Sequence, residues 1–133
     1  MSIYKLFGTD ADLERNGFTL EYGDATFVIA RAGGSNKKFQ SCIERKMRPY
    51  RSAINSGTMD QKTAEKLLAE GYAEAIILAW DGVTDENGDV IPFTKENIIK
   101  VLLDLPDLFL DIQEQSQKVA NFITVEAEED AKI

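Results

Sequence analysis

The chain contains no histidine, and its one cysteine is Cys42. Without histidine it lacks the commonest general acid–base group and the commonest metal ligand, and every Ser-His or Cys-His nucleophile pair is excluded. A lone cysteine excludes an intrachain disulfide and fits a reducing cytoplasm. No apolar run approaches the roughly 20 residues needed to span a bilayer. Residues 1–10 show no basic stretch followed by an apolar one, so no signal peptide is expected. Positive charge is in short supply. Fifteen Lys and Arg face 23 Asp and Glu, a formal net charge of −8, which disfavours non-specific association with nucleic acid.

What is present is globular: 44% hydrophobic and 29% charged residues over 133 positions, enough for one domain with a genuine core. The charge is unevenly placed. Residues 31–51 hold seven bases (Arg31, Lys37, Lys38, Arg45, Lys46, Arg48 and Arg51) against Glu44 alone. Residues 104–133 hold eight acids against Lys118 and Lys132. The plain reading is two solvated helix faces and an acidic tail. The sharper one is electrostatic self-association through Lys37, Lys38, Arg45, Arg48 and Arg51, which salt would screen.

Residues 1–16 show no clear period and read as an irregular segment. Phe18, Leu20 and Tyr22 alternate with polar residues, as in a half-buried strand. Gly23-Asp24 suits a two-residue hairpin turn, and residues 26–30 read as the returning strand. After Gly33-Gly34, Ser35 or Asn36 can cap a helix carrying the stripe Phe39, Ile43, Met47, Tyr50 and Ile54, with a kink or break at Pro49. Thr58 and Gln61 resemble a capping box. They open a helix whose apolar face runs from Ala64 through Leu67, Leu68, Tyr72, Ala75 and Ile76 to Ala79 and Trp80. Gly71 is a weak point in it that permits close approach of another helix. Asn87-Gly88 marks a hairpin or structured loop. Thr94 caps a fourth helix, and Pro106 can start a fifth, with Phe109, Ile112, Val119, Ala120 and Ile123 as its stripe.

Chemistry is thinly represented. Asp85, Asn87, Asp89 and Glu96 have the spacing of a calcium loop, but the position that needs glycine is Val90, so an Asn/Asp/Gly-rich turn is the better reading. Gly33-Gly34 lacks the Lys-Ser or Lys-Thr that completes a phosphate loop. An anion held beside Lys37 and Lys38 is weaker than a plain strand-to-helix joint. Cys42 lies beside an apolar stripe and reads as buried and inert. No carboxylate pair stands out, and no enzyme, metal or cofactor is expected.

Several segments, in order, resemble a known family: residues 31–39 (RAGGSNKKF), 48–51 (RPYR), 57–60 (GTMD), 79–83 (AWDGV), Asn87-Gly88, 92–94 (PFT) with Asn97, and 105–112 (LPDLFLDI). Together they cover residues 18–122 and resemble the tail assembly chaperones of long-tailed (siphovirus-type) bacteriophages. The resemblance implies a non-catalytic assembly factor of the host cytoplasm, absent from the mature virion. It would bind the tape measure protein, keep it soluble and help recruit tail tube protein. The alternative is a structural tail completion or neck component retained in the particle. Neither reading involves nucleic acid or membrane.

The expected fold is α+β, predominantly helical (about four to five helices), with an N-terminal β-hairpin. The expected organisation is an irregular segment at 1–16, one helix-rich domain at 17–123 and an acidic mobile tail at 124–133. Trp80, Phe93, Leu105 and Phe109 are the candidate protein-binding residues, each weighed against a simple place in the core. Homo-oligomerisation is the further expectation.

Overall fold

The computed structural model describes residues 2–123; the expected acidic tail at 124–133 lies outside them. Strands β1 (Phe18–Tyr22) and β2 (Ala25–Ile29) form the hairpin that alternation and Gly23-Asp24 predict. Phe18 pairs with Ile29 and Tyr22 with Ala25, which leaves Gly23 and Asp24 as the loop. Gly23 has a φ of 62°, the left-handed backbone that makes glycine the natural first loop residue. A third strand, β3 (Ile77–Asp81), pairs antiparallel with β2, giving the sheet order β1-β2-β3.

The fold is α+β and mostly helical, as expected. Around the sheet lie α3 (Lys38–Met47), α4 (Arg51–Ser56), α5 (Gln61–Ala75), α6 (Lys95–Asp104) and α7 (Pro106–Gln117). Pro49 sits in a single 3-10 turn, Arg48–Tyr50, that separates α3 from α4. The break falls where the ring removes a backbone donor. Thr94 Oγ1 accepts from the Asn97 N–H (3.1 Å) at the start of α6. Pro106 opens α7.

Helix α5 is the centre of the molecule. Leu67, Ala69, Tyr72, Ala73 and Ala75 are buried along it. The core joins Ala69, Tyr72 and Ala73 to Phe27 and Ile29 of β2, Ile98 and Leu102 of α6, and Phe109 and Ile112 of α7. Three aromatic rings run through it edge to face: Phe39 to Tyr72 (4.9 Å) and Tyr72 to Phe109 (5.3 Å). Offset aromatic pairs of this kind are favoured by the ring quadrupole. A Cβ on Gly71 would stand 2.5 Å from Ile43 Cδ1 and 3.2 Å from Phe39, so the glycine lets α3 seat closely on α5.

Four expectations are corrected. Residues 1–16 are not irregular: they contain α1 (Ile3–Phe7) and α2 (Ala11–Asn16), whose N-caps Ser2 and Asp10 accept backbone N–H groups. Both helices are too short to show a period. The long third helix stops at Ala75, and Trp80 lies on β3 rather than on a helix face. The run Ile76-Ile77-Leu78 suits a strand, and the open edge of β2 supplies the partner. The capping box at Thr58 is not made: α5 begins at Gln61, and Thr58 Oγ1 donates instead to the Ala53 carbonyl. Helix α7 ends at Gln117, and Val119–Phe122 form a 3-10 turn.

Candidate protein-docking groove

One groove of about 450 Å³ opens beside the turn end of the β1–β2 hairpin. Its walls come from three places. Tyr22, Ala25 and Phe27 stand on the hairpin, Val83 and Ile91 flank the loop after β3, and Val101, Leu105 and Leu108 lie along α6 and the α6–α7 corner. Gly82 brings the loop against the hairpin: a Cβ there would stand 2.5 Å from the Asp24 carbonyl oxygen, and its φ is 72°.

The 83–91 loop is the structured turn expected from Asn87-Gly88. Thr84 and Val90 form a bridge, and Ile91 N–H donates to the Val83 carbonyl (2.9 Å). The Asp85 carboxylate accepts from the backbone N–H groups of Asn87 (2.9 Å) and Asp89 (3.0 Å). It serves as a turn group, and among the described residues no cluster of His, Cys, Asp or Glu is arranged to hold a metal.

The floor of the groove is apolar and its rim is acidic. Asp24, Asp85, Glu86 and Asp104 line it against one cation, Lys100, whose ammonium already meets Asp104 at 2.7 Å. Tyr22 holds the hairpin to α7 by donating its hydroxyl to Asp111 (2.5 Å). Burial, and then the Asp111 carboxylate, push the phenol well above its ordinary pKa, so it stays a neutral donor.

The four residues named from the sequence fall into three different settings. Leu105 lines the groove and is 52% exposed. Phe109 is 7% exposed and part of the core. Trp80 is half-buried, stacked edge-on between Phe27 (5.7 Å) and the exposed Phe93 (5.5 Å). Its indole N–H donates to the Ile91 carbonyl (3.1 Å). Since Phe27 and Ile91 both line the groove, Trp80 braces the wall from behind. Tyr22, Ile91, Leu108 and the rim acids were not named as protein-binding residues from the sequence. They converge from segments far apart in the chain, and no local spacing announces them.

The basic face is partly neutralised. Arg45 (3.1 Å) and Lys46 (2.9 Å) pair with Glu74, as does Lys95. Burial would raise the pKa of Glu74, but hydrogen bonds from Cys42, Lys95 and Lys46 outweigh it and hold the carboxyl at about 2. Cys42 is buried and donates its thiol to Glu74 (2.8 Å). Burial and that carboxylate raise its pKa, so it is a poor nucleophile. Lys37, Lys38, Arg48 and Arg51 are exposed.

Gly34 lies against an anion, but the anion is the protein's own. Glu14 is 2% exposed. Its carboxylate accepts from Thr9 Oγ1 (2.9 Å), Ser35 Oγ (3.0 Å), Ser35 N–H (3.2 Å) and Arg31 Nη1 (3.0 Å). A Cβ on Gly34 would stand 1.8 Å from Glu14 Oε2. Ser35 is therefore spent on Glu14 and does not cap α3. Asn36, the other expected cap, sits one position early: its Oδ1 accepts from the Lys38 N–H at a long 3.4 Å while its amide donates to the Arg31 carbonyl.

Compared with known proteins, the chain matches the model of the YdaY prophage protein family over residues 34–132 and belongs to that family. It is therefore phage-derived. Neither the curated proteins nor the solved structures contain a match. The matched region takes in the basic face, α5 and the 83–108 side of the groove. Among the described residues no helix is long and apolar enough to cross a membrane.

Proposed function

We propose that this phage-derived chain is a tail assembly chaperone that binds the tape measure protein, keeps it soluble and helps recruit tail tube subunits. The reading places it in the host cytoplasm and leaves it out of the finished particle. The observation that supports it most is the groove, with its apolar floor, its exposed Leu105 and its acid-rich rim. A groove of this form suits an amphipathic helix, whose apolar residues at three- and four-residue spacing enter the floor. The rim favours a segment flanked by Lys and Arg. A tape measure protein exposes long apolar helical stripes until its tube covers them, and such stripes aggregate unless screened.

Overlapping peptides of the tape measure protein from the same prophage, titrated against the full chain, test the reading. Binding should concentrate in amphipathic segments of net positive charge and weaken as salt rises. Binding to none of the peptides, together with the chain's recovery from purified virions by mass spectrometry, would replace the chaperone by a structural tail completion or neck component.

A further inference from the structure

The sheet order β1-β2-β3 makes β1 and β3 the outer strands. Strand β3 is irregular at its edge: its pairing with β2 shifts between Val28 and Ile29, and Trp80 is tied to the Ile91 carbonyl (3.1 Å). Strand β1 pairs regularly over its five residues, Phe18–Tyr22. It has none of the Pro, Lys or bulge devices that usually blunt an edge, and its one charged residue is Glu21. The hairpin turn gives the direction of its backbone groups. The Tyr22 carbonyl accepts from Ala25 across the two-residue loop, and alternation turns Leu20 and Phe18 toward Phe27 and Ile29 in the same way. The Ala30 N–H, which donates to Ile76 on the β3 side (2.8 Å), agrees with that alternation. Thr19 and Glu21 therefore turn their N–H and C=O groups outward. Among the described residues no hydrogen bond outside the β1–β2 ladder reaches either one, and both are exposed. The apolar row is also unfinished here: Phe18, Leu20 and Tyr22 are half-buried, whereas Phe27 and Ile29 beside them are 2% and 0% exposed.

We propose that β1 pairs antiparallel with β1 of a second copy about a two-fold axis at Leu20, so that one sheet runs through the dimer. The strand is self-complementary in that register. Thr19 of each copy stands opposite Glu21 of the other, and each such pair exchanges both of its hydrogen bonds through the outward-turned groups. Leu20 meets Leu20 on the axis and Phe18 meets Tyr22, so the apolar row continues across the interface. The neighbouring registers are worse. Centred on Glu21, the pairing sets two carboxylates directly opposite each other, which is destabilising. Centred on Thr19, it sets Tyr22 against Asn16 at the end of α2. The contact is isologous and closes at the dimer. Charge gives it a signature. Each copy carries a net −8, and the two repel until salt screens them. Association through β1 therefore strengthens as salt rises, the reverse of an ionic contact through the basic face.

Sedimentation of the full chain up to about 1 mM, a range suited to a small and weak interface, tests it. The wild type should show a monomer–dimer equilibrium that stops at the dimer and tightens with salt. Amide hydrogen exchange at Thr19 and Glu21 should slow as the dimer fills. Thr19→Glu sets a carboxylate opposite Glu21 on both sides of the axis and should weaken the dimer about tenfold. Thr19→Glu/Glu21→Lys returns opposite charges to those pairs and should recover it. Both positions are exposed, so thermal melts of the two variants should match wild type. A wild type that stays monomeric throughout, a dimer that Thr19→Glu leaves intact, or failure of the double variant to recover it would each overturn the proposal. So would growth beyond the dimer, or weakening by salt, which would move the contact to the basic face. None of these outcomes involves the groove, so the client reading stands or falls separately.

Discussion

Glu14 shows how much one side chain can organise. A carboxylate inside a protein is costly unless it is paired and hydrogen-bonded. Here one acid ties together the Thr9 turn, the end of β2 at Arg31 and the loop leading to α3. Glu14→Gln keeps the shape but removes the charge that Arg31 faces, so a loss of roughly 3 kcal/mol is expected. Urea unfolding would read it as a lower midpoint at unchanged slope; a midpoint within error of wild type would show that the cluster is only decorative. Glu74 gives the pH dependence. Its carboxyl sits at about 2 in the fold against an ordinary 4.5. It therefore contributes stability that is fully present above pH 4.5 and is lost as pH falls toward about 2. Glu14, also lowered once its hydrogen bonds outweigh its burial, adds acid sensitivity of the same sign. Urea midpoints measured from pH 6 down to 2.5 should fall steeply for wild type and less steeply for Glu74→Gln. Equal slopes would remove Glu74 from the account.

At the scale of the elements, α5 and its neighbours carry the stability. Gly71→Val would gain helix propensity but drive its side chain into Ile43 and Phe39, and overpacking of this kind costs about 1–3 kcal/mol. Phe109→Ala empties a core site against Tyr72 and should cost about 3–5 kcal/mol. Leu105→Lys, at an exposed corner, should stay within about 0.5 kcal/mol. Thermal melts of the three variants check that ordering. The elements that sequence reading found are those whose signals are local: the β1–β2 turn, the Pro49 break, the Thr94 cap, the Pro106 start and the close approach at Gly71. It missed β3 because Ala75, Ile76, Ala79 and Trp80 also satisfy a helical period, and only the free edge of β2 decides between the two. It missed α1 and α2 because five or six residues are too few to display a period. The groove was legible only at Leu105, since its other walls are brought together from segments far apart in the chain, such as those of Tyr22 and Leu108, 86 positions apart.

Across the whole molecule, apolar surface and charge are distributed unevenly. Exposed apolar side chains gather on α1, and an acid-rich, apolar-lined groove opens at the turn end of the β1–β2 hairpin. The net charge of −8 keeps copies and complexes mutually repelling at long range and so favours solubility. In the proposed function the groove would supply the short-range recognition. The function proposed for the groove is to screen a phage tape measure protein. Its most direct test is the soluble fraction of the tape measure protein co-expressed with the wild-type chain or with Leu105→Lys. The account predicts a soluble, co-purifying complex with wild type and an aggregated tape measure with the folded variant. Equal rescue by both chains, or none by wild type, would contradict it.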